Sequence, residues 1–166
     1  VSRSPYIPRF DIQSVSASNL LPTPITGTTD LPRGGDAVSA DGKYYYYTSD
    51  DLRLGNNDIL NINSPVVIDI RPTSSADLDI TRDGKIVIAN NATASLEIHF
   101  GDKLDIDSEN SLGGIQNLTL DPKRCILLGT STYNSSGYHY LRTDNVNLTF
   151  YGVIYMPNAY LHVHNS

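Results

Sequence analysis

The stretch LNINSPVVIDIRPTSSADLDITRDGKIVIANNATASLEIHFGDKLDI, residues 60–106, decides the fold. Its apolar residues come in pairs split by one residue: Leu60/Ile62, Ile68/Ile70, Leu78/Ile80, Ile86/Ile88, Leu96/Ile98 and Leu104/Ile106. Such alternation places each pair on one face of a short strand. The pairs sort into two columns. Leu60/Ile62, Leu78/Ile80, Leu96/Ile98 and Leu118/Leu120 step by 18, 18 and 22. Eight residues behind, Ile68/Ile70, Ile86/Ile88, Leu104/Ile106 and Ile126/Leu128 keep the same steps, and Tyr44/Tyr46 and Leu52/Leu54 extend both columns back by 16. Near-constant spacing stacks like on like, so each coil covers its neighbours. The expected fold is an all-β, right-handed β-solenoid (β-helix) with coils of about 16–22 residues, laid about 4.8 Å apart.

Turn formers occupy equivalent gaps: Thr48-Ser49-Asp50, Asn63-Ser64-Pro65, Arg82-Asp83-Gly84, Gly101-Asp102 and Asp121-Pro122-Lys123. A smaller third side is expected through Ser74/Ala76, Ala92/Ala94 and Asn110/Leu112. Residues 1–43 break the period with Ser, Thr, Pro and Gly and read as a cap or linker, with Tyr6 to Ile12 packing over the first coil. The solenoid is then expected over 44–166. After Leu128 the spacing lengthens to Val146/Leu148 and Ile154, which sets Gly129–Asn145 apart as an insertion carrying Tyr133, Tyr138, His139 and Tyr140.

Composition agrees with strands and capped turns. Of 166 residues 39% are hydrophobic and only 18% charged, with eleven Tyr, three Phe and no Trp. A net charge of −6 with scattered Lys and Arg argues against nucleic acid as a partner. No stretch approaches the roughly 20 apolar residues that cross a bilayer, so no membrane insertion is expected. Val1 opens no signal peptide, as in a trimmed chain. Cys125 stands alone, which excludes an intrachain disulfide and reads as a small core thiol.

The segment from Asn117 onward resembles a known family. Asn117-Leu118-Thr119, Leu127-Leu128-Gly129-Thr130 and Phe150-Tyr151-Gly152-Val153-Ile154-Tyr155-Met156-Pro157-Asn158-Ala159 are similar to the C-terminal β-helix of PilX-like proteins encoded with type IV pili. Gly152, Tyr155, Pro157, Asn158 and Ala159 match the string that closes that solenoid, while Met156 departs from its usual Ala. About 120 residues share the texture and about ten are distinctive. The resemblance, with that to tapirin adhesins, implies an extracellular, cell-surface binding module of a bacterium. It also implies polysaccharide (cellulose or another plant or microbial polymer) as ligand and type IV pilus components as partners.

Catalytic chemistry is weakly signalled. Asp77/Asp79 with Asp83, and Asp102/Asp105/Asp107 with Glu109, read as solvated faces and turn caps. Asp79 and Glu97 are expected to stack on adjacent coils, with Asp105 on the other column. His99 alternates outward, His162 and His164 share a strand face, and no cluster has the spacing of a zinc site. No enzyme, metal or cofactor is expected. The asparagines of four N-x-S/T strings, Asn91, Asn117, Asn134 and Asn147, would matter only in a eukaryotic secretory path. The leading expectation is an adhesin that lays a polysaccharide on Tyr133, Tyr138, His139 and Tyr140, with outward Tyr45 and Tyr47 as second candidates. The alternatives are a structural subunit of a pilus tip or filament, and a β-helical polysaccharide lyase or hydrolase.

Overall fold

A computed structural model describes residues 18–48, 50–70, 77–101, 103–108, 113–129, 139–143, 150–156 and 161–165. These residues form a β-solenoid of about four turns, built from parallel strands. The first coil contributes β1 (Asn19–Leu20) and β2 (Thr28–Leu31). Three fuller coils follow: β3 (Tyr44–Tyr47), β4 (Leu52–Leu54) and β5 (Ile59–Ile62); β6 (Pro65–Asp69), β7 (Leu78–Thr81) and β8 (Lys85–Ile88); β9 (Ser95–Phe100), β10 (Leu104–Ser108) and β11 (Gly114–Asn117). Beyond them lie β12 (Cys125–Gly129), β13 (His139–Thr143), β14 (Val153–Tyr155) and β15 (Leu161–Asn165).

Each full coil gives one strand to each of three sheets. Sheet I runs β1-β3-β6-β9-β12-β14, sheet II runs β4-β7-β10-β13-β15, and sheet III runs β2-β5-β8-β11. The inward residues stack as expected. Leu52, Leu78 and Leu104 form one column, Leu54, Ile80 and Ile106 a second, and Leu60 and Ile86 a third. Nearly all are sealed from solvent, and each such side chain contributes about 1.5–3 kcal/mol of burial.

The coil is longer than the sequence suggests. Stacked partners on sheet II run from Leu52 to Leu78 to Leu104, a step of 26 each time. On sheet I the steps are 22, 30 and 29, from Tyr44 to Val66 to Leu96 to Cys125. Sheet III opens with a step of 31, from Thr28 to Ile59. The expected coil of 16–22 is therefore corrected to one of 22–35, the longest step running from Asp105 to Tyr140. The 18-residue step is real, but it spans two sides of a three-sided coil. Periodicity reports the length of a side; the bend at each corner decides how many sides close a turn.

Three further expectations change with that geometry. Among the described residues the solenoid already includes Asn19–Leu20 and Thr28–Leu31, ahead of 44, because β1 pairs with β3 and β2 with β5 in register. Leu118 and Leu120 leave the core, at 47% and 62% exposure, and Ile115 and Asn117 take the sheet III positions over Ile86 and Ile88. Asn117 is buried because its amide donates to the Asp121 and Tyr151 carbonyls, while its oxygen accepts from Thr119. In β12, Cys125 and Leu127 stand over Leu96 and Ile98, so Ile126 turns outward opposite Glu97. Burial pushes the Cys125 thiol up to about 12, as suits a core thiol.

Corners use side-chain capping. The Asp51 carboxylate accepts the Asp77 N–H at 2.9 Å, and Asp77 accepts the Lys103 N–H at 3.0 Å, one coil further along each time. Asp58 holds Gly27 N–H and Gly55 N–H. Arg124 closes a third corner by donating to the carbonyls of Asn91, Ala92 and Ala94. In that corner Ala94 is buried and Ala92 exposed, so the expected third side of small residues is here a bend. The real third side is a strand. Ser74/Ala76, Asn110/Leu112 and the Tyr6–Ile12 cap lie outside the described residues.

Candidate functional site

The three-sided coil puts side chains together that an 18-residue register keeps apart. On the outward face of sheet II, Arg53 stands beside Asp79, and Asp79 beside Asp105. The same column continues to Tyr140 and then His162. At about 4.8 Å per rung these five positions span roughly 19 Å. The expected stacking of Asp79 on Glu97 is corrected: Glu97 lies on sheet I, because the 18-residue step carries the chain two sides onward, not one full coil.

The column is bound together by charge. The Arg53 guanidinium reaches Asp51 at 2.5 Å and Asp79 at 3.6 Å. Lys103 holds Asp105 at 2.5 Å. Burial, and then the neighbouring Asp105 charge, push the Asp79 carboxyl above its ordinary value, against the opposing pull of Arg53 and Lys103. For Lys103, burial pulls its pKa down. The hydrogen bond to Asp105 and the charges of Asp105, Asp77 and Asp79 outweigh it, and the pKa rises. Beside the first rung lies a shallow cavity of about 110 Å³ lined by Thr23, Pro24, Asp50, Asp51 and Arg53. The Thr23 hydroxyl oxygen is itself sealed from solvent, with no hydrogen-bond partner among the described residues.

Tyr45 and Tyr47 lie on sheet I, whereas Tyr140 lies on sheet II. The Tyr45 hydroxyl donates to Asp41 at 2.6 Å, and that bond pushes its pKa up to about 12. Tyr47 is 37% exposed and pairs with Leu20, itself 46% exposed. Further along the same sheet, His99 is buried with Nε2 2.5 Å from Glu97, and that bond holds the Glu97 carboxyl below its ordinary value. The expected insertion 129–145 contains β13, a rung of sheet II carrying His139 and Tyr140. Tyr133 and Tyr138 lie outside the described residues. Among the described residues no three His, Cys, Asp or Glu side chains converge as metal ligands.

No family model, curated protein or solved structure matches this chain. The site must be read from its own residues. Sequence reasoning missed the Arg53–Asp79–Asp105 column, yet a signal was present. Asp51-Leu52-Arg53-Leu54, Asp77-Leu78-Asp79-Ile80 and Lys103-Leu104-Asp105-Ile106 are one motif repeated with a step of 26. The 18-residue step aligns Asn61, Asp79 and Glu97 instead, which fall on three different sheets.

Proposed function

We propose that this chain is a non-catalytic, surface-displayed adhesin module that holds an extended polysaccharide, such as cellulose, along the outward face of sheet II. The observation that carries this reading is the sheet II register that sets Arg53, Asp79, Asp105, Tyr140 and His162 at successive backbone rungs. A regular row of donors and acceptors beside a tyrosine suits a polymer whose sugars offer hydroxyls along their edges and C–H groups on their faces. The resemblance of the Gly152–Ala159 string to the closing string of PilX-like solenoids supports display outside the cell, with type IV pilus components as partners.

The test is sedimentation with insoluble cellulose and a panel of other plant and microbial polymers. The parent protein should co-sediment with at least one. Arg53→Ala with Asp105→Ala, and separately Tyr140→Ala, should weaken binding at least tenfold, while Tyr45→Ala with Tyr47→Ala should leave it within twofold. A parent that stays in solution with every polymer removes the proposal.

One observation favours a second reading, a polysaccharide hydrolase or lyase. Asp79 and Asp105 are adjacent carboxylates, and the first has a raised pKa, as an acid–base pair requires. Release of soluble sugar from the same panel, abolished by Asp79→Asn, would establish it in place of adhesion.

A further inference from the structure

The two ends of the solenoid are finished differently. In the first coil Leu21, Ile25 and Leu31 are at most 3% exposed. Edges there are also bonded: the Ile25 N–H donates to the Arg53 carbonyl of β4, and Arg33 donates to the Leu20 carbonyl of β1. At the other end, the inward column of sheet II runs through Leu54, Ile80 and Ile106, each at most 1% exposed. It continues past the Leu141 rung to Val163, which is 63% exposed. The strand of Val163, β15, ends the row of sheet II, and among the described residues no strand pairs with its outer edge.

We infer that two copies of this chain pair tail to tail, β15 against β15, as an antiparallel ladder about a two-fold axis. A free strand edge is a template for another strand, and natural sheets blunt such edges with Lys, Pro or a bulge. Leu161-His162-Val163-His164-Asn165 contains neither Lys nor Pro. Complete overlap of this five-residue strand with its own antiparallel copy sets Val163 opposite Val163 and His162 opposite His164 of the second copy. An axis normal to the sheet keeps inward positions inward on both sides. Each Val163 then extends the core column of the other rod, which removes apolar surface from water. The contact is isologous and closes on itself. A head-to-tail contact would need the first coil open as well, and its sealed residues and bonded edges oppose that.

Charge suits this pairing at neutral pH. The chain carries a net charge of −6, yet β15 has no Asp, Glu, Lys or Arg, so no fixed like charges meet across the ladder. Acid changes that. Protonation sets His162 against His164 of the second copy twice per pair, and like charges directly opposite destabilise a ladder. On the neighbouring strand β13, Tyr140 holds the rung beside His162 and Arg142 the rung beside His164, with Asp105 and Asp107 of β10 behind them.

Sedimentation velocity of the whole chain, from micromolar to near-millimolar concentration, tests the inference. A monomer–dimer equilibrium with no larger species is expected. Val163→Lys, which sets two charges at the centre of the ladder, should raise the dissociation constant at least tenfold. Leu20→Lys, at the opposite end, should change it less than twofold. Lowering the pH from about 7.5 to about 5.5 should raise it several-fold, and His162→Asn with His164→Asn should remove that dependence. Thermal unfolding checks that Val163→Lys is folded. If it is not, amide exchange of the parent decides: the β15 amides should exchange fast in dilute protein and slow as the protein is concentrated. A monomer at every concentration overturns the inference, as does a dimer that Val163→Lys leaves intact. A dimer indifferent to pH, or a series of species that lengthens with concentration, overturns it too.

Discussion

Asp36 shows how much one side chain can hold at the start of the solenoid. Its carboxylate accepts from the Arg33 backbone at 2.8 Å, from Arg33 Nε and Nη2 at 3.1 and 3.0 Å, and from the Tyr46 hydroxyl at 2.6 Å. Arg33 also donates to the Leu20 carbonyl and lies 5.7 Å from the centre of the Tyr46 ring. The cluster thus locks the 33–36 turn onto β1 and β3. Burial alone would raise the Asp36 pKa, but the bonds from Arg33 and Tyr46 outweigh it and hold the carboxyl below its ordinary value. A depressed acid stabilises the fold above its unfolded value, and that contribution fades as pH falls through the lower, folded value. Asp36→Asn should cost about 1–3 kcal/mol at pH 7, read by urea unfolding, because charged hydrogen bonds are lost in a buried setting. The loss should shrink below about pH 4. An unchanged midpoint at pH 7 would mean that the cluster is only incidental. None of this is legible in the sequence: Arg33 and Asp36 sit in a Pro- and Gly-rich stretch, and alternation gives only the inward direction of their partner Tyr46.

Between sheets II and III the elements meet at a corner that tolerates no side chain. A Cβ on Gly84 would lie 2.5 Å from the Leu54 carbonyl oxygen and 2.9 Å from the Gly55 nitrogen, both backbone atoms of the coil before. Gly84→Ala should destabilise by about 1–3 kcal/mol, near the upper end because backbone cannot swing aside. Gly55→Ala, which meets only the Thr81 hydroxyl at 3.3 Å, should cost less. Thermal unfolding of the two variants checks the order, and equal shifts would contradict it. Arg82-Asp83-Gly84 is recognisable as a turn from residue type, with Arg82 at φ 55. How sharply that turn bends is not recognisable. The strands and most inward residues can be read because alternation is local; the number of sides per coil cannot, because corner angles arise from contacts between coils.

Each coil of the whole rod touches chiefly the coils beside it, so stability should be distributed along its axis and not pooled in one centre. Strands β6, β7 and β8 are covered on both sides, whereas β1 and β15 end their rows. Amide exchange should accordingly be slowest in β6–β9 and quickest at β1 and β15, by tenfold or more. Uniform protection from end to end would mean that the coils open only together. At this scale the solenoid class is legible from the sequence. The face that gathers Arg53, Asp79 and Asp105 is not, because it exists only at the longer step of 26.

That step has a consequence for how the molecule can change. Sheet II repeats at 26 twice and then at 35 and 22, from Asp105 to Tyr140 to His162, while sheet I takes 22, then 30, then 29. Length variation is therefore taken up in the corner segments between strands, while the strands themselves stay in register. Insertions or deletions near residues 89–94 lengthen or shorten the coil between Asp79 and Asp105, yet the two can still stand in register, as Asp105 and Tyr140 do across a step of 35. A single residue added inside β7 would instead turn its pattern inside out. The rod behaves as a ruler with one engraved margin, and new marks can be cut there without redrawing the rest.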